Sequence, residues 1–493
     1  MNTTNPTQIT VNLEAHFEKF RENTLGRNIE IDTICGKKPL IYTDWIAEGR
    51  MYGPIEDRLK EMAAYVANPH SYSSYTGQNI TTIYKEARQI IKDHVNATED
   101  DVLITVGHGM TGAIERVIKL IAEKFEWNKL VAEGPKPVVF ITHMEHHSNH
   151  TTWVQMGADV VILPAGENGL VDPEVLHEKL QDYKDRILKI GSFSGCSNVS
   201  GIVSPYHELA EVMHNNGGKC IVDFAASAPY VEMNMHPENP NQKLDAIVFA
   251  PHKFLGGPGT CGVAVMCSTL HPNKPAIIGG GNVKWTLPNG EFGVSPNLEM
   301  MEDAGTPGYI QTIKTALSIK LKEDMGIKNI HDREKELLDM AIDRLCTNPE
   351  VELVECENRE VEKIGVVSFN IKDIHYNMVV RILNDKFGIQ TRGGWSCASN
   401  YAYHVFKYSN ESSTEFIDRM KGGNLTGKPG WVRLSLHPTM TNDELNYCLD
   451  AIEQIVENRE DWSKEYYYDI SDNECYPNDK SLEPVDPKEF FTL

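Results

Sequence analysis

Ile221-Val222-Asp223 and, thirty residues further on (253 − 223 = 30), Ala250-Pro251-His252-Lys253-Phe254-Leu255-Gly256-Gly257-Pro258-Gly259 decide how this chain is read. An apolar run ends on a carboxylate, and a lysine then stands beside a histidine at the head of a glycine-rich turn. Pyridoxal 5′-phosphate (PLP) chemistry requires that pairing: an acid that keeps a proton on the pyridine nitrogen, and an amine that binds the cofactor's aldehyde. Asp223 and Lys253 are therefore the first candidates for cofactor binding and catalysis. The glycines after Lys253 let the backbone turn tightly and approach a ligand.

Working outward, short apolar runs alternate with helical patterns from about residue 80 to 270. The runs Val102–Val106, Val138–Thr142, Asp159–Leu163, Ile187–Phe193, Cys220–Asp223, Ala246–Ala250 and Gly262–Met266 read as seven strands. Between the first two, Ile114, Val117, Ile118 and Ile121 fall at i, i+3, i+4 and i+7, the apolar stripe of an amphipathic helix. The alternation predicts an α/β fold, a mostly parallel sheet flanked by helices. Ligands gather at the strand C-terminal ends of such sheets, where Asp223, the residues after Thr142 and His252-Lys253 all fall. A helix from about Gln311 to Lys328 leads into a smaller α+β domain. Its expected elements are a helix near Arg333–Cys346, strands near Ile364–Asn370 and Trp431–His437, and a helix near Asp443–Asn458. The expected organisation is an N-terminal segment (1–40) packing on the small domain, a large domain (41–310), the small domain (311–460), and an acidic, irregular tail (461–493).

With 493 residues the chain can bury a large core, and its net charge of −23 argues against nucleic-acid or anionic-membrane partners. The start, Met1-Asn2-Thr3-Thr4-Asn5-Pro6, lacks the pattern of a secretory signal, and no apolar run approaches the ~20 residues that span a bilayer. A cytoplasmic protein is the expectation. Ten cysteines without CxxC pairs do not make a disulfide framework. Most read as small buried residues; Cys397, beside Gly393, Gly394 and Ser396, reads as a loop thiol.

Individual residues carry competing readings. Gly109-Met110-Thr111 follows a strand and opens a helix, where free N–H groups and the Thr111 hydroxyl suit a phosphate, or serve only as a helix start. His143, His146, His147 and His150 have the look of a metal cluster, but zinc needs three or four ligands converging on one point, and no metal is expected. Asn198 before Gly201 is a common turn residue. Arg433, in a strand facing a core, needs a partner: a substrate carboxylate or a structural acid.

Taken together, the motifs resemble the class V family of PLP enzymes, which includes cysteine desulfurases, selenocysteine lyases and aminotransferases. Gly109-Met110-Thr111-Gly112-Ala113-Ile114 looks like its phosphate loop, Glu145-His146-His147-Ser148-Asn149 its ring-stacking segment, and Asn198-Val199-Ser200-Gly201 its ring-oxygen contact. Ala304-Gly305-Thr306-Pro307, Arg392-Gly393-Gly394-Trp395-Ser396-Cys397-Ala398 and Trp431-Val432-Arg433-Leu434-Ser435 follow in the family's order, over roughly residues 40 to 455. The resemblance implies a fold type I enzyme in which Met110 and Thr111 hold the phosphate, His146 stacks on the pyridine ring and Ala225 packs on its other face. It implies that Asn198 bonds the ring hydroxyl and is placed to meet the substrate carboxylate, that Arg433 clamps that carboxylate, and that Thr306 reaches the cofactor of the other subunit in a homodimer. Arg392 to Cys397 keeps the five-residue spacing (397 − 392 = 5) of desulfurases whose loop cysteine attacks the substrate sulfur and passes it to an acceptor. Two departures stand out: Ala226 stands where many desulfurases carry a glutamine donor to the ring hydroxyl, and Ala250 where a phosphate-binding serine is usual; Asn198, Thr111 and His252 are the residues expected to supply those contacts. The leading expectation is a cysteine desulfurase or selenocysteine lyase-like enzyme acting on a small amino acid. A class V aminotransferase is the alternative, and a non-catalytic PLP-fold binding protein a remote one. Trp395, beside Cys397, is expected to restrict the substrate pocket.

Overall fold

The computed structural model of the protein describes residues 12–355, 358–408, 410–482 and 486–492. The first eleven residues of the N-terminal segment, positions 483–485 and residue 493 of the tail lie outside them. Seven strands form the central sheet: β1 Asp101–Val106, β2 Val138–Thr142, β3 Asp159–Leu163, β4 Lys189–Ser194, β5 Lys219–Asp223, β6 Ala246–Phe249 and β7 Gly262–Cys267. Their order is β1-β7-β6-β5-β4-β2-β3. The β6-β5-β4-β2-β3 run is parallel, whereas β7 is antiparallel to both of its neighbours. The strands are apolar on both faces because both faces are covered. On one side the stripe of helix α1 (Gly109–Lys124) buries Ile114, Val117, Ile118 and Ile121 against β1, β6 and β7; each such side chain contributes about 1.5–3 kcal/mol. On the other, Phe140, Phe193, Val222 and Phe249 join Leu209 and Met213 in a second core layer.

Inserting β7 between β1 and β6 brings two distant turns together. The Cβ that any other residue would carry at Gly262 would lie 1.9 Å from the Gly109 carbonyl oxygen. Gly109 itself has φ +57°, so the start of α1 is built around two glycines in contact.

The helix expected over Gln311–Lys328 and the one expected from Arg333 are joined end to end. Helix α2 (Tyr309–Met325) and helix α3 (Ile327–Leu345) meet at Gly326, whose φ of +81° breaks the run. Beyond them a four-stranded sheet is formed by β8 (Val351–Leu353), β9 (Val366–Ile371), β10 (Arg392–Gly394) and β11 (Trp431–Ser435), in the order β8-β9-β11-β10. Its apolar face packs on α3 and on α4 (Asn442–Trp462). The stretch after Glu460 is not irregular: α4 continues to Trp462, and Tyr466–Asp469 pairs with Glu474–Pro477 in a hairpin. Tyr466 and Cys475 of that hairpin enter the core of the small sheet. The triple tyrosine masked a period-2 pattern in which alternate residues turn inward.

The N-terminal residues form a strap. Ile41–Tyr42 pairs in parallel with Ile389–Gln390, Thr43 N donates to the Gln390 carbonyl (3.0 Å), and Ser435 N donates to the Thr43 carbonyl (2.8 Å). Further along, Gly49 N donates to the His252 carbonyl (2.9 Å) and Gly256 N to that of Arg50 (2.7 Å). Residues 41–50 therefore clamp the small sheet to the lysine turn.

Candidate active site

A cavity of about 290 Å³ opens where β2, β4, β5 and β6 end, near the lower bound of roughly 300 Å³ for ligand sites. The large domain contributes Gly109, Met110, Thr111, His146, Asn198, Ala225, His252 and Lys253 to its walls; Arg392, Ser396, Cys397 and Arg433 come from the small-sheet side. Ile46 and Ala47 of the strap close it. The sequence candidates thus converge on one cavity, except Thr306 and Asp223. Thr306 lies elsewhere, where its hydroxyl accepts from Asn68 Nδ2 (3.1 Å). Asp223 is buried behind Ala225, and its Oδ1 accepts from Ala225 N (2.8 Å).

Each wall has its own physics. Helix α1 begins at His108 without a side-chain cap, so its first-turn N–H groups are available to an anion. Thr111 Oγ1 stands 2.7 Å from Ser148 Oγ, a hydroxyl pair at the same rim. His252 Nδ1 contacts Glu48 Oε2 at 2.7 Å, and a Cβ at position 109 would lie 3.6 Å from His252 Nε2. Glu48 therefore turns the free nitrogen of His252 toward the start of α1. Burial raises the pKa of Asp223 and lowers that of Lys253, holding both toward their neutral forms.

Glu145 anchors the next segment. Its buried carboxylate accepts from Thr142 N and Oγ1, Asn149 Nδ2, and Ser194 N and Oγ, at 2.7–3.1 Å. His146 is the N-cap of the helix His147–Gln155 rather than part of it. Its Nδ1 accepts from Ser148 N (3.2 Å), which leaves the proton on Nε2. Burial, with Lys253 nearby, pushes its pKa down to about 4, and the ring stays neutral. Among the described residues no group of three or more His, Cys, Asp or Glu side chains is arranged to hold a metal ion.

The Cys397 loop is held from three sides. His147 N donates to the Cys397 carbonyl (2.8 Å), His147 Nε2 meets Ser399 Oγ (2.6 Å), and Asn198 Nδ2 donates to the Ser396 carbonyl (2.7 Å). His150 adds a contact to Asn400 Nδ2 (3.2 Å). His147 and His150 thus tie the thiol loop to the segment that follows β2. Ser396 and Cys397 both have positive φ, +53° and +57°, a conformation that costs side-chain-bearing residues energy. The Cys397 residue is exposed. Trp395 does not line the cavity: it packs on Tyr403 (5.9 Å between rings) and under Lys428 (5.3 Å), so it does not narrow the pocket.

Asn198 differs from its expected double role. Because a carbonyl can only accept, the contact with Ser396 fixes the amide's donor end on the loop and leaves Oδ1 buried without a partner. Arg433 also differs: its guanidinium reaches Asp44 Oδ1 (3.0 Å) and the Asn198 carbonyl (3.1 Å). Arg392 binds the same carboxylate, with Nε 3.0 Å from Asp44 Oδ2. Asp44, 389 positions before Arg433 and in a strap with no motif, was invisible in the sequence. The pair Asp44–Arg433 is almost fully buried. Removing one partner strands the other, so Asp44→Ala should cost about 3 kcal/mol of stability, read as a fall in the urea midpoint.

Comparison with known proteins bears on the family and the fold. The sequence profile described as aminotransferase class-V matches residues 50–448. A probable cysteine desulfurase of Halalkalibacterium halodurans is 28% identical over 380 residues, 75% of this chain and 86% of the relative. A cysteine desulfurase of Escherichia coli O9:H4 is 29% identical over 371 residues, 73% and 84%. Among solved structures, the apo cysteine desulfurase of Thermococcus onnurineus NA1 matches with a TM-score of 0.68 at 24% identity, over 85% of this chain and 95% of that one. An S-sulfonic acid form of an Escherichia coli cysteine desulfurase matches with a TM-score of 0.68 at 20% identity, over 92% and 99%. These structures share the type I fold expected from the sequence. With the profile spanning most of the chain and its motifs meeting around one cavity, the chain belongs to the aminotransferase class-V family.

Proposed function

We propose that the protein is a PLP-dependent cysteine desulfurase, which converts L-cysteine to L-alanine and leaves the sulfur on Cys397. The observation that carries this reading is that Cys397 and Lys253 line the same cavity. The cavity fits the cofactor: an uncapped helix start and Thr111 suit the phosphate, the orphaned Asn198 Oδ1 suits the ring hydroxyl, and Asp223 behind Ala225 suits the ring nitrogen. When bound, PLP supplies an electron sink for a carbanion at the substrate α-carbon.

The protein's side chains do the rest. Lys253, whose pKa burial lowers to about 8 so that its amine loses its proton more readily than an exposed lysine, would hold the cofactor aldehyde and, once freed by the substrate amine, would move the α-proton. His146 and Ala225, which line the cavity, would hold the ring between them. Two guanidinium groups, Arg392 and Arg433, share one carboxylate in Asp44, so one positive charge remains toward the cavity for the substrate carboxylate. The thiolate of Cys397 attacks the substrate sulfur; an S–S bond forms as the Cβ–S bond breaks, and that bond's electron pair stays with the three-carbon product. Proton return yields alanine. The persulfide then stands on an exposed loop, open to an acceptor thiol.

Incubation of the PLP-loaded protein with L-cysteine should give alanine and, with a thiol, sulfide in equal amounts. Appearance of new amino acids from 2-oxoacids instead would establish the aminotransferase reading.

His252 supplies the phosphate contact that Ala250 cannot. For Nε2 to donate while Nδ1 donates to Glu48, the ring must carry both protons, and Glu48 balances that charge. Glu48→Gln should weaken PLP binding about tenfold, roughly 1.4 kcal/mol, yet leave binding of pyridoxal, which lacks the phosphate, unchanged. Parallel spectroscopic titrations with the two compounds measure the difference.

A homodimer is part of the proposal. Trp285, Leu287 and Phe292 on the hairpin Val283–Thr286/Phe292–Val294 are exposed, as are Ile277, Ile278 and Tyr75. Thr306, outside its own cavity and with its hydroxyl accepting from Asn68, still has that hydroxyl's proton to give to the cofactor of a second copy across such a two-fold contact. Cys35, Cys196, Cys220, Cys261, Cys267, Cys397, Cys448 and Cys475 are free thiols, in keeping with a reducing, cytoplasmic setting. Among the described residues no helix is long and apolar enough to cross a membrane.

A further inference from the structure

A second cavity, of about 60 Å³, lies behind the strap, walled by Arg21, Arg27, Arg50, Tyr42, Trp45 and Glu444. Its charge is out of balance. Glu444 is the one carboxylate on the wall, and it is engaged: Oε2 accepts from Thr441 N (2.8 Å) in the capping box of α4, and Oε1 is 3.6 Å from Arg27 Nη2. Arg21 is buried, at 8% exposure, and gives Nε and Nη2 to the carbonyls of Thr439 (2.6 Å) and Glu14 (3.1 Å), which carry no charge. Arg50 gives Nη2 to the Leu25 carbonyl (3.0 Å) and lies 4.8 Å over the Tyr42 ring. Arg27 Nη1 is buried without a hydrogen-bond partner. Three cations thus face one acid in a protein whose net charge is −23.

Such a grouping is unfavourable by itself. Guanidinium groups repel one another, and a buried donor without an acceptor costs about 1–3 kcal/mol or more when charged. The cavity also exceeds the roughly 10–15 Å³ that one water occupies on this measure. An anion with several acceptor oxygens answers both the charge and the orphaned donor, and planar guanidinium groups are suited to it.

We propose that this cavity binds a small oxyanion of the phosphate or sulfate class. It lies apart from the cofactor's phosphate site, and the proposal is independent of the reaction assigned above. Tyr42 and Trp45, on its wall, flank Asp44, whose carboxylate grips Arg392 and Arg433 on the catalytic side. An occupant therefore braces the strap from behind.

The test is thermal unfolding of the PLP-saturated protein, so that the helix α1 site is filled, in inorganic phosphate or sulfate against chloride at equal ionic strength. Saturable stabilisation by both oxyanions is expected, and Arg27→Gln and Arg50→Gln should each weaken it at least tenfold. Arg27→Gln removes the unpartnered Nη1 together with two long, partly exposed contacts, to Glu444 (3.6 Å) and Asn28 (3.3 Å), and should shift the melting temperature in chloride by no more than a few degrees. No saturable difference between oxyanion and chloride would overturn the proposal. So would wild-type oxyanion affinity in both arginine variants, or affinity lost in Thr111→Ala alone, which would assign the effect to the catalytic cavity.

Discussion

Lys253→Ala leaves the protein folded but without covalently held PLP, and its turnover falls by about 10²–10⁴-fold, the range for loss of a positioned acid–base group. The lysine sits in a turn, Pro251–Lys253, whose shape is kept by backbone bonds from the strap and not by its own side chain. Replacing it therefore takes away chemistry rather than structure. Borohydride reduction of the wild type, followed by peptide mapping, should place a pyridoxyl group on the peptide containing Lys253. A label on another lysine would displace the assignment.

Cys397→Ser is expected to bind L-cysteine, still shifting the absorbance of the cofactor, while sulfide release falls about a thousandfold or more, some 4 kcal/mol of barrier. A hydroxyl is a far poorer nucleophile toward sulfur than a thiolate. The loop's anchors, the Cys397 carbonyl on His147 N and the Ser396 carbonyl on Asn198, are backbone acceptors, so the substitution leaves them in place. Mass spectrometry of the wild type after L-cysteine should find one added sulfur on the peptide containing Trp395-Ser396-Cys397. Sulfide release at the wild-type rate from the variant, with no such adduct, would retire the mechanism and favour amino transfer.

The sheet was legible because its signals are local. Runs such as Val138–Ile141 are apolar at every position, as strands covered on both faces are, and each strand was placed to within two residues. The hairpin after Glu460 was missed because Tyr466-Tyr467-Tyr468 hides alternation behind identical residues. In the site, Lys253 and His146 announce themselves through motifs that carry their own turns. Asp44 and Glu48 do not. Each acts through a partner more than two hundred positions away, Arg433 and His252, and an acid in a short strap has no periodicity to mark it. Asn198 was seen as a ligand, but which end of its amide faces the cavity depended on the Ser396 carbonyl, a contact that only the folded chain supplies.

The strap has a consequence for the order of events as the chain grows from its N-terminus. Its residues are made first, yet the groups that fasten Thr43 and Asp44, namely Gln390, Arg392, Arg433 and Ser435, are among the last. By the time Cys267 has been added, all seven strands of the large sheet exist, and with them the helix start at Gly109, His146, Asp223 and Lys253. At that stage the basin has a floor and no roof. On the function proposed above, every residue assigned to the cofactor except Thr306 is made before β11, which carries Arg433 and ends some 170 residues later (435 − 267 = 168), so a nascent chain would be able to take up its cofactor from an open bowl and close over it only when synthesis is nearly done.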